Sequence, residues 1–174
     1  LTLVGVIDAD LGMSGADPRA AERTWQQLEQ VAGRAGRAEH AGRVIFQTYA
    51  PDHPVLKAIV SGDKDMFLEQ EAAEREAQNL PPYGKLASLI LSGPDKNNII
   101  TVSKQLARVA PHHDNITVLG PVAAPLSYLR GNHRYRFLIK ANANVKLQLE
   151  IRNWLDKLPK SRGVKIQIDI DPYS

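Results

Sequence analysis

The chain of 174 residues is 43% hydrophobic and 24% charged, with a net charge of +3. That length suits one ordinary domain or two small ones, and the composition argues against wholesale disorder. With no cysteine, the sequence excludes a disulfide scaffold, a thiol nucleophile and any cysteine-ligated zinc or iron–sulfur site within it. The longest apolar runs, such as Leu89-Ile90-Leu91, are too short to cross a membrane, so a soluble protein with no membrane partner is expected. Charge is unevenly spread. Residues 81–174 carry 14 Lys/Arg against 6 Asp/Glu, a net of +8, whereas residues 1–80 carry a net of −5. A basic block of this kind concentrates polyanions, so nucleic acid or an acidic protein tail is the first partner expected.

In chain order, residues 1–7 form a β-branched, apolar run that ends at Asp8-Ala9-Asp10. A run apolar on both faces predicts a central strand of a parallel sheet. A helix follows, with Asp17 as N-cap and Pro18 at its first position. Its apolar positions are Trp25, Leu28, Val31 and Ala32, and it should end near Gly33 or Gly36, where glycine accepts positive φ. A second strand is predicted at 44–49. This strand–helix–strand unit is too small to complete a doubly wound sheet, and an upstream part of that sheet is expected. Residues 51–82 read as a helical connector: a turn at Pro51–Pro54, a short helix to about Val60, and an acidic helix at about 64–78. Two prolines at 81 and 82 stop that helix and mark the expected domain boundary at 79–84.

From Lys85 the pattern predicts strand 85–92, helix 96–110, strand 116–122, a loop around 125–131, strand 133–140, helix 144–158 and strand 164–170. The order β-α-β-β-α-β is that of the split βαβ, ferredoxin-like arrangement. In strand 133–140, Tyr135, Phe137 and Ile139 alternate with Arg134, Arg136, Leu138 and Lys140, which predicts a core face and a basic face. Arg130, Arg134, Arg136 and Lys140, with Tyr128 nearby, suit phosphate contact and base stacking on single-stranded nucleic acid. Alternation favours core packing for Tyr135.

Gln30-Val31-Ala32-Gly33-Arg34-Ala35-Gly36-Arg37 places two guanidiniums just beyond a helix on a glycine-rich turn. Forked, permanently charged donors of this kind suit a transferring γ-phosphoryl group. From spacing alone, complementing the helix dipole explains Arg34 and Arg37 equally well. Asp8 and Asp10 are read as turn-capping residues rather than magnesium ligands. His112, His113 and Asp114 are read as a solvated loop rather than a zinc site, and no metal site is expected.

The segment Q-V-A-G-R-A-G-R resembles motif VI of superfamily 2 helicases. With D-A-D-L, A-A-E-R, I-F-Q-T-Y-A-P-D-H-P-V, N-L-P-P-Y-G, V-L-G-P-V, R-Y-R-F-L-I-K and D-I-D-P-Y, essentially the whole chain resembles the C-terminal portion of the primosomal protein N′ (PriA, replication restart helicase) family. The resemblance implies that residues 1–50 are the end of a second RecA-like motor lobe, 51–82 a connector and 83–174 a basic ferredoxin-like domain. It implies that Arg37 acts as an arginine finger, that Arg34 contacts the γ-phosphate and that Gln30 contacts the nucleotide or couples it to DNA.

The family's nucleotide loop, magnesium-binding motif and cysteine-rich zinc insertion lie upstream of this stretch. ATP, Mg2+ and Zn2+ are therefore expected in the whole protein and none in this stretch alone, which is expected to be inactive. The expected whole is a bacterial, cytoplasmic, ATP-dependent 3'-5' DNA helicase. It would restart stalled forks and assemble the primosome with branched and single-stranded DNA and other primosome proteins. The tail of the single-stranded-DNA-binding protein is expected at Lys146 and Gln148, where the family's basic partner position is Asn144 here. The alternative is a nucleic-acid-binding module, or a docking adaptor for acidic tails, without ATPase activity.

Overall fold

The structure, a computed structural model, describes residues 3–13, 19–35, 42–158 and 161–172. It divides into two compact units, one reaching to Glu74 and the other comprising Arg75–Pro172.

In the first unit, strand β1 (Leu3–Val6) runs parallel to β2 (Arg43–Phe46), with Val4 opposite Val44 and Val6 opposite Phe46. Helix α1 (Ala20–Ala32) lies between them in sequence, as a parallel pair requires. Arg19 occupies its N-cap position, while the expected cap Asp17, Pro18 and Gly36 lie outside the described residues. Gly33 ends the helix as expected, but at φ −64 and not at the positive φ anticipated, because the next turn continues with right-handed backbone. The connector forms α2 (Pro54–Ser61), capped by His53, and the acidic α3 (Lys64–Ala77). Trp25 stacks on Phe67 at 5.6 Å, which joins α1 to α3, and Val55 and Leu56 complete this small core.

The boundary between units falls inside α3, ahead of the 79–84 break. The last turn of α3 is tied forward: the Arg75 carbonyl accepts from the Leu80 N–H, and Asn79 Nδ2 donates to Asn142 Oδ1 at 2.7 Å. Gly84 has no room for a side chain, since a Cβ there would sit 2.2 Å from the Asn79 carbonyl oxygen.

The second unit contains β3 (Gly84–Gly93), α4 (Lys96–Arg108), β4 (Ile116–Leu129), β5 (Asn132–Asn142), α5 (Leu147–Leu155) and β6 (Lys165–Ile170). The strands form one sheet in the order β4-β5-β3-β6, and each neighbouring pair is antiparallel. Asp95 caps α4 by accepting from the N–H groups of Asn97 and Asn98. Ile99, Val102 and Leu106 of α4, with Leu147, Ile151 and Trp154 of α5, pack on Ala87, Leu89, Leu91, Phe137 and Ile139. Trp154 meets Phe137 edge-on at 5.3 Å and donates from Nε1 to the Leu106 carbonyl at 2.9 Å, so one side chain holds both helices to the sheet.

Two predicted boundaries are corrected. The expected loop around 125–131 is strand up to Leu129, with irregularities between Leu119 and Val122 and between Ala123 and Tyr128. Pro125 reads as a loop signal, but β4 is an edge strand, where a missing N–H is tolerated at a bulge. The last helix is also shorter than 144–158, because Asn142–Lys146 forms a turn in which the Val145 carbonyl accepts from Lys85 Nζ at 2.7 Å.

In urea denaturation, Phe137→Ala is expected to lower the stability of this unit by about 3–5 kcal/mol. The Ser103 hydroxyl is fully buried, with no hydrogen-bond partner among the described residues. Ser103→Ala is therefore expected to raise stability by about 1 kcal/mol, and loss of stability would contradict that assignment.

Candidate nucleic-acid interface

Gln30 is exposed in the last turn of α1, and Arg34 is exposed on the turn just beyond it, where its N–H donates to the Val31 carbonyl. They stand four positions apart, at the same helix end. Arg37 lies outside the described residues.

The carboxyl ends of β1 and β2 are tied together by Asp10. One of its oxygens accepts from the Thr48 hydroxyl at 2.5 Å and the other from the Tyr49 N–H at 2.7 Å, while Asp8 accepts from the Asp10 N–H. These bonds support the turn-capping reading of both aspartates. The Thr48 hydroxyl, then the Tyr49 N–H, hold the Asp10 carboxyl below its ordinary value of 3.8, with a smaller contribution from His53.

The pleat of β5 sorts its side chains into two faces. Phe137, Ile139 and Ala141 are buried toward the helices, and Tyr135 packs against the same core, as alternation predicts. Arg134, Arg136 and Lys140 are half-buried on the opposite face. Across the sheet on that face, Arg134 stands beside Ser92, Arg136 between Ile90 and Val122, and Lys140 between Leu86 and Thr117. Arg134 reaches the Leu126 carbonyl at 3.4 Å. Among the described residues, the Arg136 and Lys140 side chains have no ionic partner.

Lys165 joins this face from β6, paired with Ser92 on the other side from Arg134. Sequence spacing did not bring it to notice, because only the placement of β6 beside β3 puts it within two strands of Arg134. An alternating strand with a lysine at its outward position was the available signal. Arg130 is exposed at the hairpin tip with φ 50, followed by Gly131 at φ 80, a pair of positive φ values that suits a two-residue hairpin. Tyr128, 60% exposed, lies 4.9 Å from the His133 ring beside that tip. No aromatic side chain occupies the outward positions of β5 between Arg134 and Lys140.

Lys146 and Gln148 are both exposed at the start of α5. The Glu150 carboxylate, one turn along α5 from Lys146, lies 4.0 Å from His113 Nε2. His112, His113 and Asp114 are exposed, and no three His, Asp or Glu side chains converge on a common point among the described residues. No helix among those residues is long and apolar enough to cross a membrane.

The profile described as "Primosomal protein N C-terminal domain" matches residues 76–173, more than half of the chain. The chain belongs to this primosomal protein N family. Over its whole length it is also 44% identical to the Replication restart protein PriA of Rickettsia conorii, and it covers 27% of that protein. The proteins of the same name from Synechocystis and Bacillus subtilis are 38% and 34% identical, with 100% and 99% of this chain aligned and 21% and 22% of theirs. The chain thus spans about a quarter of the length of these curated relatives, and matches the C-terminal portion of PriA.

The depressed Asp10 value has a testable sign. Its stabilising contribution is complete above 3.8 and is lost as pH falls through the lower folded-state value. The side-chain carboxyl carbon, followed by NMR, is expected to titrate with a midpoint below 3.8, and Asp10→Asn to flatten the acid limb of the stability profile. A midpoint at or above 3.8 would contradict the assigned hydrogen bonds.

Proposed function

We propose that this chain works within an ATP-driven DNA helicase that restarts replication in the bacterial cytoplasm, and that its C-terminal unit holds DNA on the outer face of the four-stranded sheet. The carrying observation is the alternation of β5, which gathers Arg134, Arg136 and Lys140 on one face away from the helices. Family membership and the alignment of the whole chain with replication restart proteins support the wider reading.

The sheet order β4-β5-β3-β6, with antiparallel neighbours, supports the ferredoxin-like βαββαβ assignment. The parallel β1–β2 pair around α1 supports the motor-lobe assignment of residues 1–50. In that reading Gln30, Arg34 and Arg37 face a nucleotide gripped by upstream parts of the whole protein. The two arginines stabilise charge on the transferring phosphoryl group, which is where such donors contribute most. ATP with Mg2+ and an upstream Zn2+ belong to this reading of the whole protein, as do branched DNA and other primosome proteins. The exposed pair Lys146 and Gln148 is the proposed contact for the acidic tail of the single-stranded-DNA-binding protein.

Two measurements test this. Arg37→Ala in the full-length protein is expected to abolish ATP turnover and to leave DNA binding intact; normal turnover would remove the finger role. Binding of oligothymidylate to the 174-residue chain is expected to weaken with salt, and Arg136→Gln to lower the slope of log K against log salt by about 0.7. A slope unaffected by Arg136→Gln would remove the sheet face as the phosphate contact.

A further inference from the structure

At one end of the outer sheet face lies a cavity of about 310 Å³ lined by Ser92, Gly93, Pro94, Asn132, Gly163, Val164 and Lys165. We propose that this cavity is a nucleotide subsite in which Lys165 binds a strand phosphate, extending the basic face of β5 across the sheet onto β6. The inference rests on the nucleic-acid reading of that face and assigns to it a position and a residue.

Chemistry and shape both favour a phosphate-bearing nucleotide. The Lys165 side chain is exposed and makes no hydrogen bond or ion pair among the described residues. It shares a cross-sheet row with Ser92, a hydroxyl donor, and Arg134, a forked donor. The lining contains no carboxylate. Asp95, the nearest in sequence, has its Oδ1 engaged by the N–H groups of Asn97 and Asn98. On β6, Asp169 lies four residues from Lys165, roughly 13 Å along an extended strand. Asn132 Nδ2 gives one of its two N–H donors to the Arg130 carbonyl, and Lys165 supplies the one cation of the lining.

The rest of the lining, Gly93, Pro94, Gly163 and Val164, carries no charge. A Cβ at Gly93 would sit 2.3 Å from the Gly163 carbonyl oxygen and 3.0 Å from Ile99, so no side chain fits there. Gly163 itself adopts φ +76, and the turn that carries it is pinned to α4 by the bond from Asn98 Nδ2 to the Arg162 carbonyl. The volume falls at the small end of the range of ligand pockets, about 300–1,000 Å³, enough for a compact group and not for a folded partner. Along the same face the next cation is Arg136, two residues beyond Arg134, so a strand entering the cavity continues over β5.

The test uses the 174-residue chain and oligothymidylate over a series of salt concentrations. Lys165→Gln is expected to lower the slope of log K against log salt by about 0.7, the amount for one single-strand phosphate contact, and Lys165→Arg to preserve it. Lys104→Gln, an exposed lysine on α4 away from the sheet face, is expected to leave the slope unchanged. An unchanged slope in Lys165→Gln, with the slope lowered in Arg136→Gln, overturns the subsite and leaves the nucleic-acid reading standing. An equal loss in Lys104→Gln overturns it as well, since total charge and not position would then be responsible. Absence of any oligothymidylate binding overturns both readings together.

Discussion

Phe137 is fully buried and meets the Trp154 ring edge-on, and that contact decides where the basic residues of the domain go. In a pleated strand, successive side chains point to opposite faces, so burying Phe137 and Ile139 sends Arg136, Leu138 and Lys140 outward. A slip of one residue would turn Phe137 and Ile139 out of the core and turn Arg136, Leu138 and Lys140 toward it. Burying an unpaired cation costs several kcal/mol even after relaxation, far more than the edge-on aromatic contact of about 0.5–1.5 kcal/mol contributes. The register is therefore strongly specified, and the basic face is a by-product of core packing. The cations of this face stand on strands whose other side is packed by two helices.

The same constraint gathers residues that lie far apart in sequence. Ser92, Arg134 and Lys165 come from three strands and meet in one row because β3 is central, with β5 on one side and β6 on the other. Gly93 permits the close approach of the 162–163 turn, and Gly120 performs a comparable task on the other side of the sheet. Gly120 has φ +113, and a Cβ there would come within 2.7 Å of the Arg136 carbonyl oxygen. Glycine at these places lets backbone approach backbone around a sheet whose outer face carries the charge.

Much of this was legible in the sequence wherever one periodicity dominated. The alternation at 133–140 identified both faces of β5, and Tyr135 packs inward as its parity requires. β4 was harder to read beyond Val122: Pro125 carries a loop signal, yet an edge strand accommodates it at an irregularity. The place of Lys165 on this face is not legible in the sequence, because its neighbours there are set by the order of strands, which no local pattern encodes. The tie from Asp10 to Thr48 and Tyr49 has the same character, since it spans 38 and 39 residues and depends on β1 and β2 lying in parallel. The helix-terminating role of Gly33 was legible and its conformation was not, because glycine permits positive φ without requiring it.

The two faces of the four-stranded domain offer a direct comparison. Mapping backbone amide shift changes on the 174-residue chain during titration with a short single-stranded oligonucleotide would test the assignment of the outer face. Changes concentrated at Ile90, Ser92, Arg134, Arg136 and Lys165, with the amides of α4 and α5 unmoved, are the predicted result. Changes concentrated on the solvent side of α4 and α5, with the outer strands silent, would contradict it.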